Sequence, residues 1–119
     1  VHLVERIVED HPGTVIDFGA GHTVHDDPDN LKRVKQALAQ CGEVFLLLPY
    51  KDKEASLEIL NARLSALIEG EIGFIPEGTL EQNHYFVEHA ANYNLATEIV
   101  YTSERTPEEV CKDLLSRLN

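Results

Sequence analysis

An aspartate and two glycines lie together where a short apolar segment gives way to a polar loop. Residues 14–18 (TVIDF) are apolar and β-branched, which is typical of a β-strand, and Gly19 and Gly21 follow at once. A carboxylate at the end of a strand, here Asp17, can hold Mg²⁺ directly or through water. Glycines without a Cβ let a ligand approach the backbone, whose N–H groups can then face an anion. A strand followed by Gly-x-Gly also occurs as a simple tight turn, so a binding turn and a structural turn both remain open.

The loop that follows carries residue types that bind metals. His22, His25, Asp26 and Asp27 form an H-x-x-H-D-D sequence, and zinc sites favour histidine and carboxylate ligands. Such sites usually need three or four converging ligands that neighbouring groups hold in place. The segment from Asp26 also has the composition of a turn followed by a helix cap. We therefore favour the turn and cap over a dedicated metal site.

The segments around these residues alternate between helical and strand patterns. Apolar spacing predicts helices over 1–10, 29–41, 52–68, 84–95 and 106–118, and short apolar runs predict strands over 14–18, 43–48 and 97–101. Strands alternating with helices imply parallel pairing through right-handed crossovers, so the expected fold is α/β, a three-layer α-β-α arrangement around a parallel sheet. In such sheets ligands bind beyond the carboxyl ends of the strands. The loops after Phe18, Leu48 and Tyr101 are therefore the candidate sites.

Length and composition exclude several classes of protein. The 119 residues fit one α/β domain over 1–119. The net charge of −11 argues against a general nucleic-acid binder and against anionic membranes, since both need a basic face. No apolar run approaches the roughly 20 residues that span a bilayer. The two cysteines, Cys41 and Cys111, occupy apolar helix positions and form no disulfide framework, which suits the core of a cytoplasmic protein.

The expected sheet is small, and the chain begins with a helix that has no strand before it. Doubly wound sheets usually contain about five strands. We therefore expect a strand-loop-helix unit upstream of Val1, and we expect that missing segment, or a second copy of the chain, to cover the open sheet edge. Residues 69–83, with three glycines and a proline, are expected to form a mobile loop.

Three stretches of the sequence, taken together, resemble a shikimate-kinase-like P-loop kinase. VIDFGAGHTVHDDPDNLKRVKQALAQCGEVFLLLP is similar to the middle of such a kinase, where a strand enters a glycine-rich turn, a helix follows, and the next strand ends in proline. EILNARL resembles the helix that carries an arginine before the lid, here Arg63. FVEHAANYNLATEIVYTSERTPEEVCKDLL resembles the closing helix, strand and "TPEE" helix. The resemblance covers most of the chain and is poorest over residues 69–83.

The resemblance implies transfer of a phosphoryl group from Mg·ATP to a small hydroxylated metabolite. Gly19 and Gly21 match the glycine turn that approaches the phosphate acceptor. Arg63 matches the arginine that contacts the nucleotide phosphates, which implies both a catalytic and a nucleotide-binding role. Asp17 is placed by its position at the strand end, from which it would assist Mg²⁺ or the acceptor hydroxyl. Residues 69–83 would then act as a lid that excludes water.

One element that this chemistry requires is missing from the 119 residues. No G-x-x-x-x-G-K-[ST] sequence occurs in them, although this loop holds the phosphates in P-loop kinases. The family places the loop upstream, which is also where the expected topology lacks a strand. We therefore interpret the chain as the carboxyl-terminal two-thirds of a P-loop kinase domain that is inactive by itself. Two alternatives remain open: a non-catalytic α/β interaction module, and a Rossmann-like nucleotide-binding module, although GAG lacks the full GxGxxG.

Overall fold

The computed structural model describes residues 1–118, and its regular structure is mostly helical. Helices account for 60% of the chain, and two short strands form a parallel sheet. In chain order the elements are α1 (His2–Asp10), α2 (Ala20–Thr23), α3 (Pro28–Leu38), β1 (Phe45–Leu48), α4 (Lys53–Ile72), α5 (Thr79–Glu88), α6 (Ala90–Leu95), β2 (Glu98–Tyr101) and α7 (Pro107–Arg117). The α/β class is confirmed. The sheet of the described residues has two strands instead of the three that the sequence predicts. Within residues 1–118, none of the helices combines the length and the hydropathy that a bilayer crossing needs.

The chain divides into two compact units. Unit 1 contains Val1–Leu46 and His89–Glu98, and unit 2 contains Leu47–Glu88 and the residues from Ile99 onward. In unit 1, α1 packs against α3 through a buried apolar cluster made of Val4, Val8, Val34, Ala37 and Leu38. The expectation of a single domain over 1–119 stays a prediction.

The strand predicted over residues 14–18 is wrong. Ile16 and Phe18 pack against the apolar cluster of unit 1, whereas Val15 is 101% exposed and Asp17 is exposed as well. The side chains therefore alternate as they do in a strand. No hydrogen bond within the described chain joins the backbone of residues 15–18, and a strand exists only when it pairs with a neighbour.

The acidic loop forms the turn and cap that its composition indicates, but the cap is Asp27, whereas the helix predicted over 29–41 places it at Asp29 or Asn30. Asp27 Oδ1 accepts hydrogen bonds from the backbone N–H of Asp29 (2.8 Å) and of Asn30 (3.3 Å). Pro28 occupies the first turn, where a missing N–H costs nothing. The helix therefore begins at Pro28, just before the position that its apolar spacing indicates.

The loop predicted over residues 69–83 is helical at both ends. α4 continues through Gly70 to Ile72 and ends where Gly73 adopts the left-handed φ of 82°. Glycine costs only about 1 kcal/mol inside a helix, and the good helix formers around Gly70 outweigh that cost. α5 begins at Thr79 and packs against α4, so only 73–78 connect the two helices.

The helix predicted over residues 84–95 is divided in two by His89. The Nδ1 atom of His89 accepts a hydrogen bond from the backbone N–H of Ala91 (3.0 Å), which caps the start of α6. A capping side chain requires extended backbone at its own position. The continuous helix that the apolar spacing indicates is therefore interrupted there.

A buried serine fixes the connection between β1 and α4. Ser56 is fully buried, and its Oγ donates to the carbonyl oxygen of Tyr50 (2.7 Å) and accepts from the Tyr50 N–H (2.9 Å). One hydroxyl thus satisfies both backbone groups of a residue in the turn. The loop after β1, one of the candidate sites, is held in place by this contact.

Replacing Ser56 with alanine is expected to lower the free energy of unfolding by about 1–3 kcal/mol, because both Tyr50 backbone groups lose their partner. Urea denaturation of the 119-residue chain measures this change. Ser65→Ala, the same substitution on the same helix at a half-buried side chain, should change stability by less than about 0.5 kcal/mol. Equal effects of the two substitutions would show that the Ser56 contact does not stabilise the turn.

Candidate functional site

Asp17, Gly19 and Gly21 lie in one continuous segment of unit 1, immediately before and within the start of α2. The Asp17 carboxylate is exposed, and no residue of the described chain makes a hydrogen bond or an ion pair with it. Gly19 precedes α2, and its carbonyl oxygen accepts from the N–H of His22 (3.0 Å). The segment therefore presents a carboxylate that has no role in holding this chain together.

Neither glycine of this turn is required by the conformation of the chain. Both backbones lack a left-handed φ, since the positive values belong to other glycines and Glu104. A Cβ added at Gly21 would meet nothing within 4 Å, and one at Gly19 would meet only the His22 ring at 3.9 Å. The tight-turn explanation for the two glycines is therefore not needed here.

Arg63 lies in the middle of α4, in unit 2. It is exposed, and it forms no ion pair with the described residues. Ile59 and Leu67 are its neighbours one turn away on either side, so the helix offers no carboxylate at the spacing that would pair with it. The guanidinium is therefore available to an anion from outside the described chain.

The carboxyl ends of β1 and β2 lie side by side in unit 2. Beyond the strands, the N–H of Thr102 donates to the carbonyl of Leu48 (2.9 Å), and that of Ser103 donates to Pro49 (3.0 Å). The two loops that follow the strands thus begin side by side. This is the part of an open α/β sheet where ligands bind.

The turn after β2 contains two features that the fold alone does not explain. The Oγ atom of Ser103 is buried and has no hydrogen-bond partner in residues 1–118. Glu104 adopts a left-handed φ of 62°, which is uncommon for a residue other than glycine. Orphaned buried hydroxyls and left-handed side-chain residues concentrate at functional sites. Sequence reasoning pointed to the loop after Tyr101 but not to these two residues.

Arg105 in this turn is linked to Asp113 and Arg117 of α7. Arg105 donates to the carbonyl of Tyr101 (2.9 Å) and to Asp113 Oδ2 (2.9 Å), while Arg117 Nε donates to Asp113 Oδ1 (2.8 Å). The hydrogen bonds from Arg117 and Arg105 hold the pKa of Asp113 below its usual range. A capping box of Thr106 and Glu109 begins this helix.

The Asp113 cluster should make stability depend on acid. Because the folded pKa of Asp113 is lowered, the stabilisation is complete above the unfolded pKa of about 4 and is lost as pH falls through the folded value. Asp113→Asn should therefore weaken the loss of stability as pH falls below about 4, measured by urea denaturation. Glu77→Gln, at an exposed carboxyl, serves as the control. An unchanged acid dependence in Asp113→Asn would contradict the pairing.

His25 of the histidine-rich loop and His89, which bonds Asp26 of that loop, make contacts within unit 1. His89 Nε2 lies 2.8 Å from Asp26 Oδ1, and its Nδ1 caps α6, so Nε2 carries the proton. His25 Nε2 lies 3.1 Å from the carbonyl of His22. Within residues 1–118, no three histidine, cysteine or acidic side chains converge as a metal site would require.

Cys111, expected in the core, is exposed, because part of the apolar stripe of α7 faces outward.

Comparison of the chain with protein-family models, with curated proteins and with solved structures gave no match.

Proposed function

We propose that this chain is the carboxyl-terminal two-thirds of a shikimate-kinase-like P-loop kinase domain with a three-layer α-β-α fold. The full-length protein is a cytoplasmic enzyme that transfers the γ-phosphoryl group of Mg·ATP to a hydroxyl of a small metabolite. The resemblance of the three sequence stretches is the reason for proposing phosphoryl transfer. Asp17, Gly19, Gly21 and Arg63 are the residues proposed to carry it out.

The observation that carries the proposal is the carboxyl edge of the parallel strands. There the turn after β2 combines the unpartnered Ser103 hydroxyl with the left-handed Glu104. A buried polar group without a partner costs about 1–3 kcal/mol. A ligand that forms a hydrogen bond to Ser103 removes this cost. Such a ligand would lie where open α/β sheets bind nucleotides and their substrates.

Asp17 suits the way that Mg²⁺ is held in phosphoryl-transfer sites. This ion keeps several waters and takes one or two carboxylates together with substrate phosphates. A single exposed carboxylate with no partner in the chain fits that mode. When bound, the ion neutralises charge on the phosphates, while Asp17 orients it or the acceptor hydroxyl. Gly19 and Gly21, which the backbone does not require, line the acceptor site.

Arg63 supplies positive charge to the transferring group. Its exposed guanidinium has no partner among the described residues, and a planar fork of donors suits phosphate oxygens. Preorganised donors of this kind act where negative charge develops in the transition state. The lid is shorter than residues 69–83, because only the segment between α4 and α5 is not helical. In this segment Phe74 is 60% exposed and available to cover a ligand.

The phosphates themselves require groups that these 119 residues lack. The sequence contains no phosphate loop, and its net charge of −11 opposes an anionic ligand. The upstream segment must therefore hold most of the phosphate charge. The chain alone should not turn over ATP.

Thermal unfolding with and without Mg·ATP tests the proposal. At a ligand concentration 100 times Kd, the full-length protein should gain about 2.7 kcal/mol of stability, and the isolated 119-residue chain should hydrolyse no ATP. Turnover of ATP by the isolated chain would contradict the role of the missing loop. A full-length protein that no nucleotide stabilises would contradict the kinase and favour the non-catalytic interaction module.

A further inference from the structure

The segment Val15–Phe18 lies outside the helices and strands, its side chains alternate between exposed and half-buried, and its backbone is unpaired. Ile16 and Phe18 are held against the apolar cluster of unit 1. None of the four residues makes a backbone hydrogen bond within the described chain. The segment is therefore fixed on one face and has the free donors and acceptors of an unpaired strand.

Such a segment is a template for strand addition. An extended edge with free N–H and C=O groups can pair with another extended chain, and main-chain hydrogen bonds then supply the affinity. The β-branched Val15, at 101% exposure, also offers an apolar side chain for a cross-strand contact. Val15 and Asp17 are two residues apart, so both side chains lie on the outward face.

The exposed Asp17 carboxylate favours an added strand that carries a positive charge. Asp17 is exposed and has no cation of the described chain beside it. A second copy would bring another chain with a net charge of −11 to the same edge, which opposes self-pairing. Opposite charges across a strand pair stabilise it, and like charges destabilise it.

We propose that residues Val15–Phe18 bind an added β-strand that carries a lysine or arginine opposite Asp17 and an apolar residue opposite Val15. The proposal does not depend on nucleotide binding. Strand addition and the proposed function are alternative uses of the same Asp17 carboxylate, which faces a cationic side chain in the one and Mg²⁺ or the acceptor hydroxyl in the other. The two can nevertheless fail separately, since strand addition is measured without nucleotide.

Hydrogen exchange on a fused probe strand tests this proposal. The probe is the heptapeptide TKTVTKT joined to Val1 through a Gly/Ser linker, which raises its effective concentration. Val1 packs against the same apolar cluster as Ile16 and Phe18, so a short linker suffices. Its central valine can face Val15 with a lysine on either side, so Asp17 meets a lysine in either strand direction. The control is the same fusion with TETVTET.

We expect the TKTVTKT fusion to slow exchange at alternate amides of Val15–Phe18 by about tenfold or more relative to the TETVTET fusion. Alternation is expected because only every second residue of a strand points its N–H toward one edge. Asp17→Lys should reverse the preference between the two fusions. The proposal is overturned if neither fusion slows these amides, if both slow them equally, or if the unfused chain dimerises and protects them.

Discussion

Replacing Asp17 with asparagine in the full-length protein is expected to lower kcat for phosphoryl transfer by about 100-fold or more, with no loss of stability. The carboxylate is exposed and has no partner in the described chain, so the fold does not use it. Any loss of activity must therefore come from the reaction. Steady-state kinetics with Mg·ATP, together with a urea denaturation curve, measure the two quantities.

Glu9→Gln is the matched control for this substitution. Glu9 is another exposed carboxylate of unit 1, on α1, and it has no hydrogen bond or ion pair among the described residues. Its replacement should leave both kcat and stability unchanged. If Asp17→Asn keeps full activity, or if it loses activity only because the protein unfolds, then the role of Asp17 in catalysis is wrong.

Arg63→Ala is expected to lower kcat by about 100- to 1,000-fold, the loss typical when a charge-stabilising donor is removed from a transition state. Stability should not fall, because the side chain is exposed and alanine is the best helix former. Arg63→Lys should recover only part of the activity, since an ammonium keeps the charge but not the planar fork.

The control for Arg63 is Lys112→Ala, which removes another exposed cation from a helix of unit 2. It should have no effect on kcat, and this excludes a general effect of net charge on nucleotide affinity. Raising the ionic strength tests the same point, because a long-range effect would be screened within about 10 Å at 0.1 M salt. Equal losses in Arg63→Ala and Lys112→Ala would contradict a specific role for Arg63.

Local chemistry determines the parts of the fold that sequence reasoning predicts. The last helix is an example, because the side chains of Thr106 and Glu109 accept from each other's backbone N–H and Pro107 has no N–H to satisfy. This helix start depends on residues that are neighbours in the chain.

Elements that depend on distant contacts are predicted less well. The pattern of residues 14–18 gives the right alternation of side chains, but strand pairing needs a second segment that the pattern does not contain. The division of the helix at His89 arises from the hydrogen bonds of its ring, and the spacing of apolar residues does not reveal these. The extension of α4 through Gly70 depends on the neighbouring helix formers and not on the glycine alone.

The sequence likewise indicates some residues of the candidate site and misses others. Asp17, Gly19, Gly21 and Arg63 can be chosen from residue type and position, and the structure adds that none of them is needed by the fold. The orphaned hydroxyl of Ser103 depends on burial and on backbone conformation. Neither quantity can be obtained from residue type.

The most direct test of the kinase proposal is transfer of label from γ-labelled ATP by the full-length protein. With Mg²⁺ and a panel of small hydroxylated acids and sugars, we predict that label appears on at least one acceptor, and that Asp17→Asn and Arg63→Ala abolish most of it. Full-length protein that binds no ATP and labels no acceptor, while remaining folded, would contradict the proposal.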